Sequence, residues 1–124
     1  MNWFAAGAIA AGLGIVLGAF GAHALKARLT PEMLAVLETG VRYHMYHALA
    51  LLAVGWAATR WTSAAVGVAG WAFLFGIAIF SGSLYLLAST GVRAWGAMTP
   101  FGGLGFIVGW LALAWAALRG NPVL

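Results

Sequence analysis

Long apolar runs, interrupted only where a few charges gather, set the layout of this chain. The charged residues are Lys26, Arg28, Glu32, Glu38, Arg42, Arg60, Arg93 and Arg119. The stretches between them approach or exceed the ~20 residues that a helix needs to cross ~30 Å of hydrocarbon. They predict membrane-spanning helices over about 3–25, 41–59, 65–88 and 100–118, with only short connectors between them. The expected fold is therefore all-α: a polytopic membrane protein with four transmembrane helices in a compact bundle, forming one integral membrane domain over residues 1–124.

Within the spans the small residues are placed periodically. Gly7, Ala11, Gly14, Gly18 and Gly21 recur at spacings of four and three, which puts them on one helix stripe. Gly102, Gly105, Gly109, Ala112 and Ala116 repeat the pattern in the fourth span. No hydrophobic effect drives helices together inside a bilayer, and such stripes permit the close backbone approach that dispersion contacts need. Both are read as packing surfaces, and they also offer a route to a homo-oligomer. Ile9, Leu13, Leu17 and Phe20 lie on another side of the first span, toward lipid. In the third span Gly67, Gly70, Leu74, Ala78, Ser81 and Tyr85 share a stripe expected to face protein.

The connectors carry helix signals of their own. Thr30-Pro31-Glu32 is a cap, a first-turn proline and an early acid in the order that begins a helix. Glu38 and Arg42 stand at i, i+4 with the acid first, so a short helical connector should run on into the second span. Met33, Leu34 and Leu37 would then rest on the membrane surface. Thr99-Pro100 repeats the cap and proline, Ser89-Thr90-Gly91 makes a turn, and Gly120-Asn121-Pro122 ends the last helix.

Composition agrees with the pattern: 65% of residues are hydrophobic and 6% charged, against roughly 25% charged in a soluble domain. The net charge of +4 comes from cations at helix ends, which bilayer headgroups explain without any nucleic-acid partner. Membrane lipids are the expected partners. Lys26, Arg28, Arg42 and Arg93 on the first and third connectors, against Arg60 and Arg119, predict both termini outside the cytoplasm. Trp3, Trp56, Trp61 and Trp115 near one face, and Trp95, Tyr43 and Tyr46 near the other, read as interfacial belts. With no cysteine, a metal would need His, Glu or Asp. Ala22-His23-Ala24 has the form of a signal-peptidase site, but the run before it is too long and lacks a basic start.

The candidate chemistry lies in three histidines. His23 closes the first span, and His44 and His47 open the second. In a helix Tyr43, His44 and His47 fall within about 100° of arc, a face that continues through Ala50, Leu51, Val54 and Ala58. The opposite face, Met45, Leu49, Leu52 and Trp56, suits lipid. Ser81, Ser83 and Tyr85 stand at a similar depth and Thr99 starts the fourth span, so His23, Tyr43, His44, His47, Ser81, Ser83 and Tyr85 form one expected polar layer. Its leading reading is a hydrogen-bonded network that fixes helix register. The alternatives are a proton, cation or small-solute pathway through His23, His44 and His47, and metal or haem ligation by the same imidazoles. No carboxylate accompanies the histidines within a span, Ser81-Gly82-Ser83 specifies neither a base nor an oxyanion hole, and the expectation is a non-enzymatic protein without a resident cofactor.

Four motifs in order resemble a known family, the small membrane proteins called domain of unknown function 423, which includes transmembrane protein 256 of animals. They are Gly18-Ala19-Phe20-Gly21-Ala22-His23, Thr39-Gly40-x-x-Tyr43-His44-x-x-His47-Ala48-Leu49, Phe80-Ser81-Gly82-Ser83-Leu84-Tyr85, and Thr99-Pro100-x-Gly102-Gly103-x-x-Phe106-x-x-Gly109-Trp110. The resemblance implies a compact four-helix membrane protein, commonly of a bacterial inner membrane or, in animals, of an organelle, and supplies no activity. With Gln found in the family at the place of His44, it also implies a site centred on His23, His47 and Tyr85.

Overall fold

The computed structural model describes all 124 residues. Helix α1 spans Trp3–His23 and α2 spans Pro31–Ala57. A third rod is built from α3 (Ala64–Gly76), a π-helical turn (Ile77–Ser81) and α4 (Gly82–Thr90), and α5 spans Thr99–Arg119. A short 3-10 helix, Arg93–Ala97, precedes α5. This is the expected bundle of four long helices. Three of them are long and apolar enough to cross a membrane: α1, the rod Ala64–Thr90, and α5 with its 3-10 turn. Helix α2 is the exception, because Glu32, Glu38, Arg42 and the two histidines dilute its first two thirds.

Local signals start and stop these helices. The Asn2 side chain accepts from Ala5 N–H at 3.0 Å, Thr30 accepts from Met33 N–H at 3.2 Å, and Ser63 accepts from Ala65 N–H at 3.2 Å. Each satisfies a backbone donor that a first helical turn leaves orphaned. The connector helix and the second span are one element, and the Glu38–Arg42 pair closes at 2.8 Å on its surface. Gly91, at φ 70°, supplies the left-handed residue that terminates α4. Thr99 departs from expectation: α5 starts there without a side-chain cap, since the Thr99 hydroxyl reaches across to Ser83 Oγ at 2.7 Å.

Helix α1 packs mainly on α2, α2 on the whole third rod, and α5 on α3 and the π turn. The glycine stripes form two of these seams. A Cβ at Gly7 would strike Ala48 O and Leu52, one at Gly14 the Met45 side chain, one at Gly18 Val41, and one at Gly21 Leu37. On α5, Gly102 lies against the backbone of Phe80, Gly105 against Phe75 and Ala72 O, and Gly109 against the Phe73 ring. Both stripes are thus packed against neighbouring helices of the same chain. The same seams revise two lipid-facing assignments. Leu49 and Trp56 are exposed as expected, but Met45 and Leu52 lie under α1. Leu37 is buried against Gly21 instead of resting on the membrane surface, and Trp3, expected in an interfacial belt, is buried beside Gly70 and edge-on to Trp71.

Two features have no counterpart in the sequence pattern. The first is the π turn, where Gly82 N–H bonds Ile77 O, five residues back. Across this turn Phe106 presses on Gly76 and the Phe80 backbone on Gly102. The second is a two-residue antiparallel ladder, Trp61 opposite Pro122 and Thr62 opposite Asn121, extended by Val123 N–H to Arg60 O at 3.0 Å. It ties the tail to the loop between α2 and α3. Asn2 and Trp3 share a surface recess with Ala58 and Thr59, so both termini lie at the same end of the bundle.

Candidate functional site

His44 and His47 are buried on the inner face of α2, each 5% exposed. His44 bridges three helices. Its Nε2 lies 2.7 Å from Ala10 O on α1 and its Nδ1 lies 2.8 Å from the Tyr85 hydroxyl on α4. A carbonyl only accepts, so Nε2 carries the proton and, in the neutral ring, Nδ1 accepts from Tyr85. The Tyr85 ring in turn lies across Gly40, where a Cβ would come within 2.9 Å of it. One turn from Tyr85, Ser81 Oγ donates to Gly40 O at 2.7 Å. The absence of a side chain at Gly40 lets α4 come this close to α2.

His47 is fixed in the opposite sense. Its Nδ1 donates to Tyr43 O at 2.7 Å, and its Nε2 accepts from Trp110 Nε1–H on α5 at 3.1 Å. The imidazole stacks on Phe106, with ring centroids 3.5 Å apart and planes 7° apart, and Phe73 and Tyr43 pack around it. Ser83 donates to Phe80 O at 2.9 Å and meets the Thr99 hydroxyl. No buried side-chain nitrogen or oxygen lacks a partner.

The structure therefore brings together His44, Tyr85 and Ser81 around Gly40, packs His47 and Tyr43 of α2 against Phe106 of α5, and pairs Ser83 with Thr99. It does not bring in His23. That residue is exposed at the end of α1, and no group of three His, Asp or Glu side chains is disposed to hold a metal. The pathway and metal readings that rested on three converging histidines lose that geometry. Ligation by His44 and His47 meets a second obstacle, because Ala10 O, Tyr85, Tyr43 O and Trp110 engage all four ring nitrogens. Tyr43 also differs from expectation: 39% exposed, it borders the layer from the lipid side.

Several participants escape a reading of side chains by polarity. Ala10 and Gly40 act through carbonyls, which sequence does not rank. Trp110 was legible in principle, since it stands four residues after Phe106 and so shares its face of α5.

The family model described as "Protein of unknown function (DUF423)" matches residues 17–103. The chain belongs to the DUF423 family. UPF0382 membrane protein YwdK of Bacillus subtilis (strain 168) is 46% identical over 114 residues, covering 91% of this chain and 93% of that protein. UPF0382 membrane protein SERP0230 of Staphylococcus epidermidis is 48% identical over 113 residues, covering 91% and 92%. A UPF0382 membrane protein of Haemophilus influenzae is 39% identical over 112 residues, covering 88% and 87%. No solved structure matches the chain. Its relatives' names and its own apolar helices make this DUF423 chain a membrane protein, and the DUF423 description attaches no reaction to it. The motifs that carry the resemblance contain His44, His47, Ser81, Ser83 and Tyr85 of the layer, whereas His23, which closes the first motif, lies exposed outside it.

Proposed function

We propose that this is a non-catalytic integral membrane protein whose buried His/Tyr/Ser layer locks the register of its helices, and which serves a structural, lipid-contacting or assembly role. The observation that supports this reading is the complete pairing of the layer: each polar atom buried there has a partner inside the chain. A conducting or catalytic layer needs donors or lone pairs that face a cargo, and here they face one another. Interhelical hydrogen bonds are a standard membrane packing device, each worth roughly 0.6–2 kcal/mol.

On this reading α2 is the fourth span. Its 27 residues make a rod about 40 Å long, so its charged first turns extend past ~30 Å of hydrocarbon while the histidines are shielded by α1, α4 and α5. The proposed setting is a bacterial plasma membrane, with the termini outside and the cationic first and third connectors in the cytoplasm. The test pairs stability with transport. His47→Gln should lower the unfolding temperature in detergent by several degrees, while liposomes holding either wild type or variant show no pH-driven or cation flux. A flux present in wild type and lost in the variant would overturn the proposal.

A further inference from the structure

At the end of the bundle that holds the first connector, a groove of about 430 Å³ runs between α1 and α2. Gly18, Gly21 and Ala22 form one wall, Leu37 and Val41 line the other, and Lys26 borders it. Its depth follows from chain geometry. Gly18 is about 7.5 Å of helix inside the His23 end of α1, whereas Lys26 lies beyond that end. The groove therefore starts among headgroups and descends into the acyl region.

Its charge is unbalanced. The chain has two acidic residues. Glu38 borders the groove, but its carboxylate is held by Arg42 at 2.8 Å. Glu32 is held by Arg93 at 3.5 Å. Lys26 and Arg28, two residues apart on one connector at headgroup level, are left without a carboxylate. Any anion that neutralises them comes from outside the chain, and the apolar walls below favour one that carries a hydrocarbon tail over free phosphate.

We propose that this groove seats one anionic phospholipid, its phosphodiester against Lys26 at the mouth, with Arg28 two residues further along the same connector, and one acyl chain along Gly18, Ala22 and Val41. The site does not depend on what the buried histidine layer does. Juxtamembrane cations attract anionic lipid by a factor of about five each.

The experiment is native mass spectrometry of the full chain in detergent, supplied with equal amounts of a phosphatidylglycerol and a phosphatidylcholine of the same acyl chains. The wild type should retain one phosphatidylglycerol several-fold in preference. Lys26→Gln with Arg28→Gln should remove most of that preference; both side chains are exposed and unpaired, so the fold is unaffected. Ala22→Trp, an exposed position on the groove wall, should block the seat without changing charge. Arg60→Gln with Arg119→Gln removes the same charge from the other end and should leave retention unchanged. Equal retention of the two lipids, wild-type retention in Ala22→Trp, or an equal loss in the Arg60/Arg119 control would each overturn the site.

Discussion

A buried imidazole reveals which nitrogen carries its proton when its partners can play only one role. Tyr43 O and Ala10 O accept, and the Trp110 indole donates, so His47 and His44 are held as opposite tautomers on the same helix. Trp110→Phe keeps the ring and removes the N–H, which strands His47 Nε2. Unfolding in detergent should show a loss of about 1–2 kcal/mol. His44→Gln and Tyr85→Phe should be coupled by at least about 0.5 kcal/mol in a double-mutant cycle, because they share a bond. His23→Ala, by contrast, should leave stability unchanged; a loss matching that of Trp110→Phe would show that His23 has a partner after all. The inward face of His44 and His47 was legible from helical phase alone, although Tyr43 on the same arc stays 39% exposed. The misplacement of His23 was legible too. It follows Gly21 by two residues, about 200° around the helix, so a stripe that carries Gly21 onto α2 carries His23 away from it.

Among the elements, charges and caps located the helices well because they mark where hydrocarbon ends and where backbone donors need partners. The glycine stripes were legible as contact surfaces, but their target was not: periodicity says that a face is small, not whether a helix of the same chain or of another covers it. The contacts now separate glycines by cost. Gly102→Ala would drive a methyl into the Phe80 backbone and Gly14→Leu would displace Met45, so both should cost more than about 2 kcal/mol through overpacking, with no change of oligomeric mass in native detergent. Nothing stands near a Cβ at Gly12 or Gly67. Alanine there should be neutral or stabilising by up to about 1 kcal/mol. Thermal unfolding of the four variants side by side checks the ranking, and a mass shift in Gly14→Leu would return the stripe to an intermolecular role.

For the whole molecule, the absence of cysteine makes orientation directly measurable. Val123→Cys and Val92→Cys lie at exposed positions on opposite ends. A membrane-impermeant maleimide should label the first in intact cells and the second only after permeabilisation, and the reverse pattern would invert the topology. The π turn has a consequence at this scale as well. It gives the third rod one residue more than an α-helix would use, and α5 lies across it through Phe106 on Gly76 and Gly102 on Phe80. Below the turn the rod packs more on α5 than on α2; Ser81 at the end of the turn and Tyr85 one turn further on reach α2 through Gly40 O and His44. The extra residue works as a vernier between two scales: without it, a single rigid spiral would have to satisfy both neighbours at one pitch, and an adjustment that suited α5 would turn Tyr85 away from His44.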